Sequence, residues 1–401
     1  MRSLYLVSIF MAFVMCKPET TVDRDTKVLN IPIYEALKNT TNEPVKLSSF
    51  ATGFEYVKLE TSKECMLGNG RWAISFKITP RYIYSGGKKF LRKDGTYVCN
   101  MGIKGKGPGE FTGAFGVDID TLNYTYFVLS NSHQLMVYSD SNKFIRSFKI
   151  NNDVLNNMLY IYDSCMALIR DVAAVSDPYT SLQIININNG EVINFGNETF
   201  TIKQRSVKSE EKYYLGIGGV CTWEYEGNNF YFDPVSDTIY TISSEGRNPV
   251  AFLNRGQYRP EYEMMLNNKD FGLNRARYME IKTIKQIGSD LYISFTMGTG
   301  KNMKGFISMY NLKSQRLNTI KLPDRLFEND INVLPVYNLT KIAGEKQYYF
   351  YLNSDYIVTE LLPKLKSMDS SKLSEENKKL LFAIKDHKIE DNPVITFLRL
   401  K

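Results

Sequence analysis

A hairpin unit that returns along most of the chain restricts its possible folds more than any other feature. The copies read KKFLRKDGTYVCNMG, HQLMVYSDSNKFIRSFKI, SLQIININNGEVINFG, DTIYTISSEGRNPVAFLN and GFISMYNLKSQRLNTIKL. In each, an apolar strand runs into a turn rich in Asp, Asn, Ser, Gly or Lys, and a second strand follows. The turn markers Gly95, Asn142, Gly190, Gly246 and Ser314 stand 47, 48, 56 and 68 residues apart, near the period of propeller blades and widened late by insertions. A more apolar hairpin precedes each copy: ISFKITPRYIYSG, FGVDIDTLNYTYFVLSN, MLYIYDSCMALIRDV, VCTWEYEGNNFYFDP and IKTIKQIGSDLYISFTMG. A sixth, YNLTKIAGEKQYYFYLN, is followed only by the single strand DYIVTELL.

Six inner hairpins with five complete outer ones predict an all-β fold, a six-bladed β-propeller with short helical insertions. Its last blade lacks an outer strand, so a strand from one chain end must close the ring. The N-terminal candidates are FEYVKLET (54–61) and VLNIPI, and the C-terminal candidate is PVITFLRL (393–400). Closure of this kind removes the exposed edges that an open array of sheets would leave.

The composition agrees with one ring. In 401 residues, 43% are hydrophobic and 13% aromatic, which excludes disorder, and the 27 Tyr and 23 Phe favour strands. The length would also suit two or three domains, but the repeats place residues 46–401 in a single propeller. The 50 basic and 43 acidic residues give a net charge of +7 without basic blocks, so no nucleic-acid partner is expected. His133 and His387 lie far apart without Cys-x-x-Cys or His-x-x-x-His neighbours, which argues against clustered-His metal chemistry.

At the N-terminus, Arg2 precedes an uncharged run, LYLVSIFMAFV, of signal-peptide length and too short to span a bilayer. Cys16 follows directly and a polar stretch begins at Lys17, the arrangement of a bacterial lipoprotein whose cysteine is acylated. Met15 departs from the small residue usual before such a cysteine, so an ordinary cleaved secretory signal is the alternative, as is a buried strand or uncleaved anchor. Residues 1–16 therefore read as a lipoprotein-type signal and lipidation site, and 17–45 as a tether with one short strand at Val28 to Ile33. The expected location is the cell envelope, lipid-anchored on the periplasmic face or the cell surface, or else secreted or periplasmic. Cys65, Cys99, Cys165 and Cys221 form no spacing motif and suit small buried hydrophobes as well as disulfides.

Two insertions interrupt the strands. In 255–277, Pro260 suits the first turn of a short helix. Near 371–388, Ser374 can cap a helix, Glu375 and Glu376 suit its N-terminal dipole, and Glu375 to Lys379 forms an i,i+4 pair. Leu373, Leu380, Leu381 and Ile384 share one face of that helix.

The first blade junction carries Gly102-Ile103-Lys104-Gly105-Lys106-Gly107-Pro108-Gly109-Glu110-Phe111. Together with Lys58-Leu59-Glu60-Thr61, Asp237-Thr238-Ile239-Tyr240 and Asp391-Asn392-Pro393-Val394, it resembles the six-bladed β-propeller lipoproteins of Gram-negative gut anaerobes over roughly residues 46–401. Ile103 stands where such proteins more often carry a basic residue. The resemblance implies a cell-envelope propeller and supplies no catalytic set. Physically, Gly105, Gly107, Pro108, Gly109 and Glu110 suit a sharp junction turn, with a backbone nest for a phosphate or carboxylate as the functional alternative. A nucleotide P-loop is excluded, because Ser or Thr does not follow the Gly-Lys pairs.

Polar residues near the ends of innermost strands are the candidates for a ligand at the channel mouth. They include Arg170, Asp171, Trp223, Glu224, Tyr225 and Lys282, besides Glu110, Asp118 and Asp120. Trp223 and Tyr225 offer stacking faces for a sugar or peptide, and Glu224 could accept hydroxyl or ammonium donors. Alternation instead sends Trp223 and Tyr225 into the core between blades and leaves Glu224 in the channel. Asp118 and Asp120 alternate within VDID and would suit Ca²⁺, but no Asp-x-Asp-x-Asp-Gly loop is present, and no metal ligand is assigned. Nor does a Gly-x-Ser-x-Gly elbow occur. The expected function is a non-catalytic envelope binding or scaffold lipoprotein for a peptide or glycan, with an envelope protein as a further partner. The alternative is a propeller hydrolase, lyase or lactonase acting on glycans or lactones.

Overall fold

The computed structural model describes residues 28–38, 40–41, 44–67, 76–120, 123–150, 155–161, 165–170, 182–193, 221–234, 236–260, 274–322, 327–336, 339–342 and 345–401. The signal segment with Cys16, Asp171 and most of the 255–277 insertion lie outside them.

Each inner hairpin joins the outer hairpin after it into one antiparallel sheet. The first sheet takes Lys77–Ile78, Tyr82–Ser85, Lys88–Leu91 and Tyr97–Asn100, paired in chain order. The second takes Ala114–Ile119, Tyr126–Ser130, Gln134–Tyr138 and Phe144–Lys149, and the third Leu155–Ile161, Cys165–Arg170, Leu182–Asn186 and Val192–Ile193. The fourth is built from Cys221–Tyr225, Asn228–Asp233, Thr238–Ser243 and Gly246–Leu253. The fifth is built from Glu280–Ile287, Asp290–Met297, Lys304–Asn311 and Leu317–Leu322. First strands of successive sheets lie beside each other, second against third and fourth against fifth, which is the arrangement of a propeller around its axis.

Burial follows strand position. The second strand Tyr126–Ser130 has a partner on either side and a neighbouring sheet on either face, so all its residues are buried and it reads as an unbroken apolar run. The outer strand Phe144–Lys149 is covered on one face only, and its exposure alternates. Aromatic rings join neighbouring sheets: Tyr84 stacks on Tyr126 at 6.4 Å between the first and second. Of the turn markers, Gly95, Asn142, Gly190 and Gly246 take positive φ; in the fifth sheet the residue that does so is Gln315, not Ser314.

Both chain ends close the ring. The last sheet runs Thr340–Lys341, Tyr348–Leu352, Val394–Leu400 and Ala51–Lys58, so the C-terminal segment supplies the third strand and the N-terminal one the outer strand. DYIVTELL, expected as a strand, is helical: Ser354–Tyr356, a wide turn Ile357–Leu361 and Leu362–Ser367 follow one another. Its β-branched residues suggested a strand, but Ile357, Leu361 and Leu365 all turn into the core, and this packing outweighs local propensity. The helix Glu375–Ile384 then packs on Ala51–Lys58. The Ser374 hydroxyl caps it by accepting from the Asn377 N–H at 3.2 Å, and Leu380 and Ile384 are buried. Its ion pairs are i,i+3, Glu375 with Lys378 and Glu376 with Lys379, in place of the expected i,i+4 pair.

The stretch expected as a tether belongs to the fold from Val28 onward. Leu29–Ile31 adds a parallel strand outside the fourth sheet, Thr40–Thr41 does the same on the fifth, and Val45–Lys46 pairs with Phe327–Glu328. This strap buries Ile31 and Ile33 completely. In the 255–277 insertion, a short 3-10 turn, Gly256–Tyr258, precedes Pro260, and the helix expected from Pro260 onward lies outside the described residues. Cys65 and Cys221 are buried thiols and Cys99 is a half-buried one.

Candidate functional site

At the junction between the first two sheets, the glycine-rich run folds around its own glutamate. The Phe111 N–H donates to the Ile103 carbonyl at 2.9 Å and the Gly105 N–H to the Phe111 carbonyl at 3.1 Å, which pins the two ends of the loop together. Inside it, Glu110 Oε2 accepts from the Gly107 N–H at 2.8 Å. A Cβ on Gly105 would lie 1.9 Å from that oxygen, and one on Gly109, where φ is +74°, would lie 2.6 Å from Phe144 Cγ. An incoming phosphate or carboxylate would therefore meet a carboxylate already seated in the loop, and the geometry is that of a turn.

The candidates at the channel mouth divide among three sheets. Trp223, Glu224 and Tyr225 end the first strand of the fourth sheet, and Lys282 lies on the adjacent first strand of the fifth. Arg170 ends the second strand of the third sheet, opposite Leu155. Trp223 stacks on Phe230 at 5.3 Å, packs against the core between the fourth and fifth sheets, and donates from Nε1 to Gln286 Oε1 at 3.2 Å. Trp223 and Tyr225, which alternation puts on one face, are both half-buried, and only Trp223 packs against that core. Glu224 Oε1 accepts the Gly227 N–H at 3.1 Å and so caps its own hairpin turn, while Lys282 pairs with Glu280 at 2.6 Å.

The two aspartates of VDID turn to different neighbours. Asp118 is buried and pairs with Lys77 at 3.1 Å, across to the first strand of the first sheet. Asp120 accepts from the Asn123 backbone and side-chain amides at 3.2 and 2.8 Å, forming a turn at the strand end. No cluster of three or more metal-ligating side chains occurs among the described residues.

Two polar groupings escape a reading of sequence. Lys285, on the first strand of the fifth sheet, donates to the Leu339 carbonyl at 2.6 Å, and burial pulls its ammonium down to about 8. Ser354, His387 and Asp391 come together beneath the helical insertion, with His387 Nε2 2.9 Å from Ser354 Oγ and Nδ1 3.6 Å from the Asp391 carboxylate. This resembles a nucleophile, base and acid in composition only. Ser354 Oγ donates its proton to the Asp391 carbonyl at 2.5 Å, leaving the imidazole to donate to the hydroxyl and not to accept from it. Ser354 and His387 are both buried, and burial holds the imidazole pKa below 6.5 against the opposing effect of Asp391. No signal in the sequence links these residues, because 33 positions and a helical insertion separate Ser354 from His387.

The remaining motif pieces have structural partners. Asn392 donates from Nδ2 to the carbonyls of Glu60 at 2.7 Å and Cys65 at 3.0 Å, and accepts the Leu67 N–H at 2.8 Å. Its own N–H reaches Thr61 Oγ1 at 2.8 Å, and Asp391 pairs with Lys58 at 3.0 Å. Two motifs more than 300 residues apart, Lys58 to Thr61 and Asp391 to Val394, thus form one knot where the ring closes. Asp237 is fully buried against Arg255 at 2.6 Å and Arg259 at 2.9 Å, and Arg255 also donates to the Met279 carbonyl at 2.8 Å.

Sheets wound about one axis and closed by strands from both ends define an all-β propeller with few helices. The chain belongs to the family described as "Domain of unknown function (DUF4934)", whose model matches residues 28–399. No curated protein matches it by sequence. Among solved structures it is similar to a protein described as exported, from Bacteroides fragilis NCTC 9343, at 15% identity and a TM-score of 0.64, covering 94% of this chain and 100% of the other. A member of the DUF4221 family from Bacteroides vulgatus aligns at 12% identity and a TM-score of 0.49, covering 88% of this chain and 97% of the other.

Proposed function

We propose that this protein is a non-catalytic binding or scaffold propeller of the cell envelope, exported by its N-terminal signal and held at a membrane through lipid on Cys16. Each of the six sheets of four or five strands is one blade, and the ligand is a peptide or glycan. The observation that carries the reading is how the chemically suggestive side chains are engaged. Glu110 fills its own loop, Glu224 caps a turn, Trp223 lies against the core, and the hydroxyl of Ser354 is donated to a backbone carbonyl. A hydrolase would need such groups turned toward a substrate.

The location is supported by the charged start, apolar run and Cys16, and by the likeness to a Bacteroides protein described as exported. Two measurements test the proposal. Fractionation of cells expressing Cys16→Ser is expected to move the protein out of the membrane fraction, and its retention there would refute lipid anchoring. A glycan and peptide binding screen on the soluble form starting at Lys17 is expected to return hits without turnover.

A further inference from the structure

The outer rims of the sheets are finished in two different ways. On the fourth sheet, the outer strand carries a bulge at Val250, because Ile239 pairs with Ala251 and Tyr240 with Pro249. Beyond that bulge, Ala251 to Leu253 accept the parallel strap strand Leu29–Ile31, and Val250 packs into the same apolar cluster as Leu29 and Ile31. The second sheet repeats the bulge at Ile145, where Val137 pairs with Arg146 and Tyr138 with Phe144, and the first repeats it at Val98. Among the described residues, no strand pairs with the outer side of either one.

The consequence is an open edge beside an apolar patch. Ile103 is 38% exposed, Phe144 38% and Ile145 48%, whereas Val250, the counterpart of Ile145 at the bulge, is packed under the strap. The patch is continuous with the glycine-rich loop, since Gly109 abuts the Phe144 ring and the Gly102 N–H donates to Asn142 Oδ1 at 2.6 Å. Lys104, Lys106, Lys143 and Lys149 surround it, all exposed, and none has an ion-pair partner among the described residues. An unpaired edge, exposed apolar side chains and four exposed lysines together specify what would complement them.

We propose that Phe144–Lys149 is a docking edge for an extended peptide of a partner protein, one with alternating apolar residues flanked by carboxylates. It pairs with Arg146 to Lys149 as the strap pairs with Ala251 to Leu253, covers Ile145 and Phe144, and sets its acidic ends against the lysines. The proposal deepens the binding role above by naming a partner class, and it places that partner on the rim and not at the channel mouth.

The test uses the detergent-solubilised full chain and the labelled peptide Glu-Asp-Leu-Asn-Ile-Thr-Ile-Asp-Glu, beside a control with Lys at each acidic position. Fluorescence anisotropy is expected to show binding of the acidic peptide only, weakened about tenfold by Ile145→Asp and by Lys143→Glu with Lys149→Glu. Amide exchange at 146–149 should slow when the peptide is bound. Absence of binding, equal binding of both peptides, or unchanged exchange at the edge would overturn the proposal. So would self-association that Ile145→Asp abolishes, which would make the occupant a second copy. Hits from the glycan and peptide screen that survive the rim variants would leave the general binding role standing while the rim site fell.

Discussion

Single side chains hold this ring at points where no regular strand pairing can. Asn392 bonds three backbone groups of the 60–67 segment from a buried position, so Asn392→Ala leaves the Cys65 carbonyl and the Leu67 N–H without this partner and the Glu60 carbonyl with only the Cys65 thiol. A loss of about 3 kcal/mol is expected in urea unfolding. Glu110→Ala removes only an exposed cap and should cost about 1 kcal/mol, with no effect on phosphate binding measured by calorimetry. His387 adds a pH dependence whose sign follows from burial. Its folded pKa lies below the ordinary 6.5, so the unfolded chain takes up the proton first. The stability this neutral ring contributes is complete above pH 6.5 and is lost as the pH falls below that toward the folded value. Melting temperature should therefore drop between pH 7 and 5 more steeply for the wild type than for His387→Gln.

At the scale of elements, what was legible in the sequence is what is decided locally. Hairpins such as Gln134–Tyr138 with Phe144–Lys149 show an apolar strand, a polar turn and a second strand within a few positions, and the strands form where the sequence has them, with Asn142 of the turn at positive φ. The strap was not legible, because strands as short as Thr40–Thr41 exist only through the edge they meet. The 354–367 helix was misread for the same reason: its β-branched residues look like a strand until the core beneath it is known. The candidate site was less legible still. Alternation puts Trp223 and Tyr225 on one face and Glu224 on the other, but nothing local shows that Glu224 turns back to cap Gly227 or that Ser354 meets His387. If the strap is part of the folded unit, Ile31→Ala should cost about 3 kcal/mol, as expected for a fully buried isoleucine. An effect below about 0.5 kcal/mol would mean the strap is a loosely held tether.

Over the whole molecule, the two ends of the chain meet in one sheet, and side chains bind that sheet to the first. Arg92 of the first sheet makes a bidentate pair with Glu345 at 2.6 and 2.9 Å, and Tyr349 donates to the Phe76 carbonyl at 2.6 Å. Arg92→Ala should cost about 2 kcal/mol by chemical denaturation, between the values for exposed and fully buried pairs. On the function proposed above, a scaffold locked in this way holds a ligand without transforming it. The most direct test is to incubate the soluble chain with every glycan and peptide it binds and follow each by mass spectrometry. The account predicts that each ligand is recovered intact. A product whose formation disappears in Glu224→Gln or Ser354→Ala would contradict it.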